Sequence, residues 1–225
     1  MSRKHVLLSV LVFLVLVLAS QVQGAIKAGF TVQIVDTADN PIAQVVAGQQ
    51  FKAKVYVQDL RGLGATGGVF SAFADLTYDL DYMDWVVTGS PTPAPQPTIQ
   101  VAPFFANFLS GTIDEPNRLV DEAGGMGGFT PPGDAMQLLF TITGEVPLSN
   151  TGPLTAVTFA ANPAEGATLD LSLYGLGTAL DRINEATYGT AQLMVPTPEP
   201  GTLGLLAFGV LMGLSRRRKT GCQSA

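Results

Sequence analysis

The sequence predicts an all-β fold, an antiparallel β-sandwich for which a jelly roll is one of two topologies. Three observations carry that prediction. Segments with apolar residues at every second position recur through the middle of the chain. Clusters of Gly, Pro, Asn and Ser separate them at short intervals, and no long stretch has helical period. Alternation of this kind turns one strand face to a core and the other to water. Many such strands with frequent turns build a sandwich or barrel.

Taken in order, "FTVQIVD" places Phe30, Val32 and Ile34 on one face. "FKAKVYVQD" alternates most cleanly. Phe51, Ala53, Val55 and Val57 point one way, and Lys52, Lys54, Tyr56 and Gln58 point the other. "GVFSAFADLTYD" directs Phe70, Ala72, Ala74 and Leu76 inward by the same rule. Shorter strands are expected at "DWVVT", "TIQVA", "RLVDEA", "AMQLLFTITG", "LTAVTFAA", "TLDLSLYG" and "AQLMV". "APFFANFLSG" predicts one short helical turn with Phe104, Phe105 and Phe108 packed inward. "GSPTPAPQP" is too rich in proline for a central strand and reads as extended surface chain. "VPTPEP" reads as a linker.

Both ends differ from the middle. At the N-terminus, Arg3 and Lys4 precede an apolar run over 6–18, and Val22 and Gly24 suit a cleavage site. This is the pattern of a secretory signal peptide over residues 1–24, implying export through the Sec machinery. The run is shorter than the roughly 20 residues that a transmembrane helix needs, which disfavours an uncleaved anchor.

Between Ala25 and Val195 stand six basic and seventeen acidic residues, a formal net charge of −11. Such a body repels nucleic acid and other polyanions, while divalent cations suit it. The only histidine, His5, and the only cysteine, Cys222, both lie outside this span. That excludes Ser-His-Asp and Cys-His catalysis, zinc held by imidazole or thiolate, and any disulfide within the domain. The domain therefore rests on its apolar core, for which about 170 residues suffice.

The chain closes with "VPTPEPGTLGLLAFGVLMGLSRRRKTGCQSA". The triplet Pro198, Glu199, Pro200 is followed by an apolar run from Leu203 to Leu214 and by Arg216, Arg217, Arg218 and Lys219. In order and spacing this resembles a PEP-CTERM sorting signal. The fourteen residues from Gly201 to Leu214, interrupted by glycines, are short for a hydrocarbon core of roughly 30 Å. They suit transient membrane contact during export, with the basic cluster held on the cytoplasmic side. The resemblance implies an exosortase as processing partner, with Pro198, Glu199 and Pro200 as its recognition residues and the basic cluster as a stop. It also implies a surface or extracellular destination in bacteria that make extracellular polysaccharide. The chain divides into a signal peptide (1–24), a sandwich domain (25–194) and a sorting signal (195–225).

Three stretches give the domain a resemblance of its own. They are "VAGQQFKAKVYVQD", "GGVFSAFADLTYDLDYMDWV" and the run from "RLVDEAGGMGG" to "FAANP". In strand and turn order they are similar to cohesin-like and carbohydrate-binding-module-like sandwiches, which implies a binding or scaffold module. Fold likeness alone does not assign function.

Inside the domain, "TYDLDYMD" is the sharpest chemical feature. Asp79 and Asp81 share a face of an extended strand, and Asp84 joins them after a turn. Oxygen ligands suit Ca²⁺, the only cofactor the sequence raises, although EF-hand spacing is lacking and a solvated acidic strand end explains the residues as well. Asp114-Glu115 and Asp121-Glu122 are paired carboxylates, but neighbours along a strand point to opposite faces, so neither pair makes a glycosidase site by itself. Trp85, near Tyr82, reads as core rather than as a sugar-stacking platform. "GLGATGG" lacks the Lys-Ser/Thr of a phosphate loop.

The sequence thus predicts a non-enzymatic, structural or adhesive protein of the cell surface or matrix, with exopolysaccharide or a surface protein as partner. The alternative is a binding module for a glycan or a dockerin-like protein. A carboxylate-dependent glycoside hydrolase is the least favoured reading.

Overall fold

The computed structural model describes residues 25–78, 82–86, 99–114, 119–164 and 171–198. In chain order the strands are β1 (Ala28–Val35), β2 (Gln50–Asp59), β3 (Val69–Tyr78), β4 (Asp84–Trp85), β5 (Gln100–Val101) and β6 (Ser110–Asp114). They continue as β7 (Leu119–Met126), β8 (Gln137–Glu145), β9 (Leu154–Pro163), β10 (Leu171–Leu173), β11 (Ala186–Tyr188) and β12 (Thr190–Pro196). One six-stranded sheet runs β11-β1-β2-β8-β4, with β5 also on β8. The other runs β12-β9-β3-β7-β6, with β10 also on β3. All these pairs are antiparallel except β1 with β11. The fold is the expected all-β sandwich.

Strand β2 shows why the pattern was readable. Phe51, Ala53, Val55 and Val57 are fully buried, and the alternate residues face outward. Lys52 and Lys54 both reach Asp39, at 2.8 and 3.0 Å. The core between the sheets centres on aromatic rings. Phe51 of one sheet meets Phe159 of the other edge-on at 5.9 Å, and Trp85 packs against Tyr78 at 4.9 Å.

Strand β3 departs from simple alternation. Val69, Ala72, Ala74, Leu76 and Tyr78 belong to the core, whereas Phe70 is only half-buried. The register with β10 shifts, because Ser172 pairs with Ser71 while Leu173 pairs with Val69. A β-bulge at Phe70 resets which face each residue takes. Phe70 therefore packs outside, edge-on to Tyr174 at 5.4 Å, and Val69 enters the core instead.

The helical turn forms at Pro103–Phe105 and buries Phe105, with Phe104 partly covered. Phe108 is 64% exposed, contrary to the expected inward packing. The turn ends at Phe105 and the chain bends into β6, so Phe108 never reaches the face that Phe105 buries. Strands β6 and β11 were not foreseen. Both are short, and β11 is held through backbone pairing to β1 rather than by an apolar run of its own. "GSPTPAPQP" lies outside the described residues.

Residues 195–197 are no linker. Val195 and Pro196 are buried in β12, where Pro196 faces Leu154 of β9. Proline is tolerated there because β12 is an outer strand of its sheet.

Candidate functional site

The sorting triplet begins where the sandwich ends. The last strand continues its ladder to Thr197, whose N–H donates to the Pro153 carbonyl at 3.0 Å. Its hydroxyl donates to the same oxygen at 3.1 Å, and its own carbonyl accepts from Gly152 N–H at 2.7 Å. Gly152 is small for a reason: a Cβ there would stand 2.7 Å from Thr197 Oγ1 and 2.8 Å from its carbonyl oxygen. Pro198 follows and is exposed. Glu199, Pro200, Arg216, Arg217, Arg218 and Lys219 lie outside the described residues.

Two loops brace this exit. The loop after β1 reaches β12, with Val45 N–H donating to the Met194 carbonyl at 3.1 Å and Met194 N–H to the Ala43 carbonyl at 2.9 Å. Its tip then pairs with the chain after β8, Gly48 N–H donating to the Val146 carbonyl at 2.7 Å. Leu148 lies over Gly48, where a Cβ would come 2.5 Å from Leu148 Cδ2. Buried Asn150 fastens the second loop by donating to the Tyr82 carbonyl at 2.7 Å.

The acidic stretch gives a partial picture. Asp79 and Asp81 lie outside the described residues. Asp84 is exposed on β4, directly opposite Glu145 of β8. Glu145 also accepts from the Gln50 amide at 2.9 Å. Both carboxylates line a shallow groove of about 300 Å³ with Trp85, Val86 and Pro147. Among the described residues no group of three or more His, Cys, Asp or Glu gathers to hold a metal ion.

Of the paired carboxylates, Asp114 ends β6, and Asp121 and Glu122 lie on β7. Glu115 lies outside the described residues. Asp121 and Glu122 sit at a bulge where β7 carries one more residue than β3, between Ala74↔Ala123 and Leu76↔Val120. Glu122 takes a positive φ of 48°, and its N–H donates to buried Asp75 at 2.9 Å. Trp85 is 5% exposed and belongs to the core, as its strand position predicted.

The opposite end holds a feature that the sequence reading missed. Asp59 closes β2 with a buried carboxylate. It accepts from Arg61 Nε at 2.9 Å, from Arg61 Nη2 at 2.7 Å, and from the N–H groups of Arg61 and Gly68 at 3.0 and 2.8 Å. Burial pushes this carboxyl upward, but the Arg61 and Gly68 hydrogen bonds outweigh burial and hold it below its ordinary value. Arg61 also donates to the Tyr174 carbonyl at 2.7 Å. The pattern "DLRG" at a strand end was the available signal. The glycine loop above it is occupied from within, since Gly64 N–H donates to Asp134 and Gly68 N–H to Asp59.

Comparison with known proteins bears on both the domain and its end. No curated protein matches the chain. Among solved structures the domain is similar to that of a type I cohesin–dockerin complex from Clostridium thermocellum, with 12% identity, a TM-score of 0.40, and coverage of 74% of this chain and 99% of that one. It is likewise similar to the third ScaC cohesin of Acetivibrio cellulolyticus, solved with a ScaB dockerin, at 13% identity, TM-score 0.40, and coverage of 75% and 99%. A third neighbour is CaCohA2 from Clostridium acetobutylicum, at 9% identity, TM-score 0.44, and coverage of 77% and 92%. Residues 196–219 match the PEP-CTERM protein-sorting motif, so the chain carries the signal of an exported protein sorted at the cell surface.

Proposed function

We propose that this protein is exported, processed by an exosortase around Pro198-Glu199-Pro200, and serves a structural or adhesive role at the cell surface or in the extracellular matrix. The observation that carries this reading is the sorting motif at 196–219, which starts on the last strand of the sandwich. Residues 1–24 act as the signal read by the Sec machinery. The apolar run and Arg216–Lys219 hold the chain at the membrane until cleavage. A span with neither His nor Cys and a net charge of −11 suits cation-bridged association with exopolysaccharide or a surface protein, and not catalysis. Mass spectrometry of the protein from producing cells tests the reading. The mature chain should lack residues before about Ala25 and the tail beyond the triplet. A mature surface protein that retains Cys222 would contradict it.

One observation favours the binding-module alternative. Phe129 is fully exposed in the loop between β7 and β8. The base of that loop is fixed, with Gly133 N–H donating to the Gly67 carbonyl at 3.1 Å and Asp134 accepting from Gly64 N–H at 2.9 Å. An aromatic face on a rigid base suits a sugar ring or a protein partner. Saturable binding to exopolysaccharide or to a dockerin, lost in Phe129→Ala, would favour this reading. Absence of binding to either favours the structural role.

A further inference from the structure

The exit of the chain is framed by two loops of unusual composition. Residues 41–49 and 146–154 contain no Asp, Glu, Lys or Arg, in a domain of net charge −11. They are joined to each other and to the last strand by the hydrogen bonds from Gly48 to Val146, Val45 to Met194 and Thr197 to Pro153. Three apolar side chains stand out from this uncharged rim: Val46 at 57%, Leu148 at 78% and Leu154 at 44% exposure.

Chain length brings this rim to one place. Thr197 is fastened to the sandwich, and the apolar tail begins at Leu203. Six residue steps of fully extended chain reach at most about 20 Å. With the tail lodged in a bilayer, the domain hangs that close to the lipid surface, with its exit end foremost. An acidic body is repelled by anionic headgroups. At the exit end Asp39 is paired with Lys52 and Lys54, and the carboxylates of Asp84 and Glu145 flank the second loop, so the two uncharged loops are the parts of this end that can approach. The tether also keeps the rim at high local concentration beside the lipid, so a weak contact suffices.

We propose that this rim, through Val46, Leu148 and Leu154, docks on the phospholipid surface in the tethered precursor and holds the sorting triplet at the interface. The inference rests on the reading of residues 201–214 as the membrane-lodged part of a sorting signal.

The full-length chain with Cys222→Ser, in vesicles of phosphatidylethanolamine and phosphatidylglycerol carrying brominated lipid, tests it. A single fluorophore is placed through Leu148→Cys, Phe129→Cys or Ala207→Cys. Quenching is expected at positions 207 and 148 and not at 129, which lies at the far end of the sandwich. Quenching at 207 without quenching at 148 overturns the docking surface and leaves the sorting reading intact. No quenching at 207 overturns both. The exposed pair Val46→Asp and Leu154→Asp should lower the quenching at 148. Unchanged quenching there would reduce the proximity to tether length alone and overturn the docking surface.

Discussion

Asp59 and Arg61, two positions apart at the end of β2, close a two-pronged ion pair around a carboxylate with no solvent exposure. The pair ties three chain segments together. Asp59 holds the end of the glycine loop through Gly68, and Arg61 holds the chain after β10 through the Tyr174 carbonyl. Removing one member of such a buried pair leaves the other charge uncompensated.

Asp59→Asn should therefore destabilise the fold by about 3 kcal/mol, read as a lower urea midpoint at neutral pH. An exposed ion pair such as Lys52–Asp39 should matter far less, because solvent screens it. A midpoint for Asp59→Asn equal to that of the parent would show that the loops hold themselves.

Acid should unfold the domain, and neutral pH should leave it indifferent. Asp59 sits below the ordinary aspartate value of 3.8, as does Asp36, held by Asn40, Asp39, held by Lys52 and Lys54, and Asp181, held by Asn184. Glu185, bonded to Lys27, sits below 4.5. A carboxyl lowered in the folded state stabilises above its unfolded value, and that stabilisation is lost as pH falls through the folded one. Stability should thus be level from about pH 5 to 8, where no histidine titrates in the span from Ala25 to Val195, and should fall below about pH 4. Urea midpoints across pH check this, and Asp59→Asn should show the shallower acid loss.

Phe51, Gly144 and Trp85 form one row across β2, β8 and β4. Gly144 leaves room for the phenyl ring, since a Cβ there would stand 2.6 Å from Phe51 Cζ. Gly144→Ala should cost about 1–3 kcal/mol by overpacking. Thermal unfolding checks the loss, and the tryptophan emission of Trp85 should report the displaced ring.

Much of the sandwich was legible because strand burial has a period of two. Phe51 to Val57 needed no tertiary information, since one face of that strand is apolar and the other is not. Phe70 was misplaced because a bulge inserts a residue, and a bulge is a property of two strands together. The bulge that carries Asp121 and Glu122 was hidden for the same reason. Their geometry depends on Asp75, 47 positions before Glu122. The Asp59–Arg61 pair is local in sequence, yet its burial comes from segments near positions 68 and 174.

The sorting motif, the acidic charge and the absence of His and Cys from the span between Ala25 and Val195 are properties of residue identity and order. Sequence alone determines them, because no neighbour is needed to make a residue charged, apolar or absent. How the chain meets its sorting signal is a different matter. "VPTPEP" has the composition of a linker, and only the pairing of β12 with β9 shows that the sandwich grips it through Thr197. The reason is that a proline at the edge of a sheet and a proline in a free linker are the same residue. Backbone partners more than forty positions away decide between them.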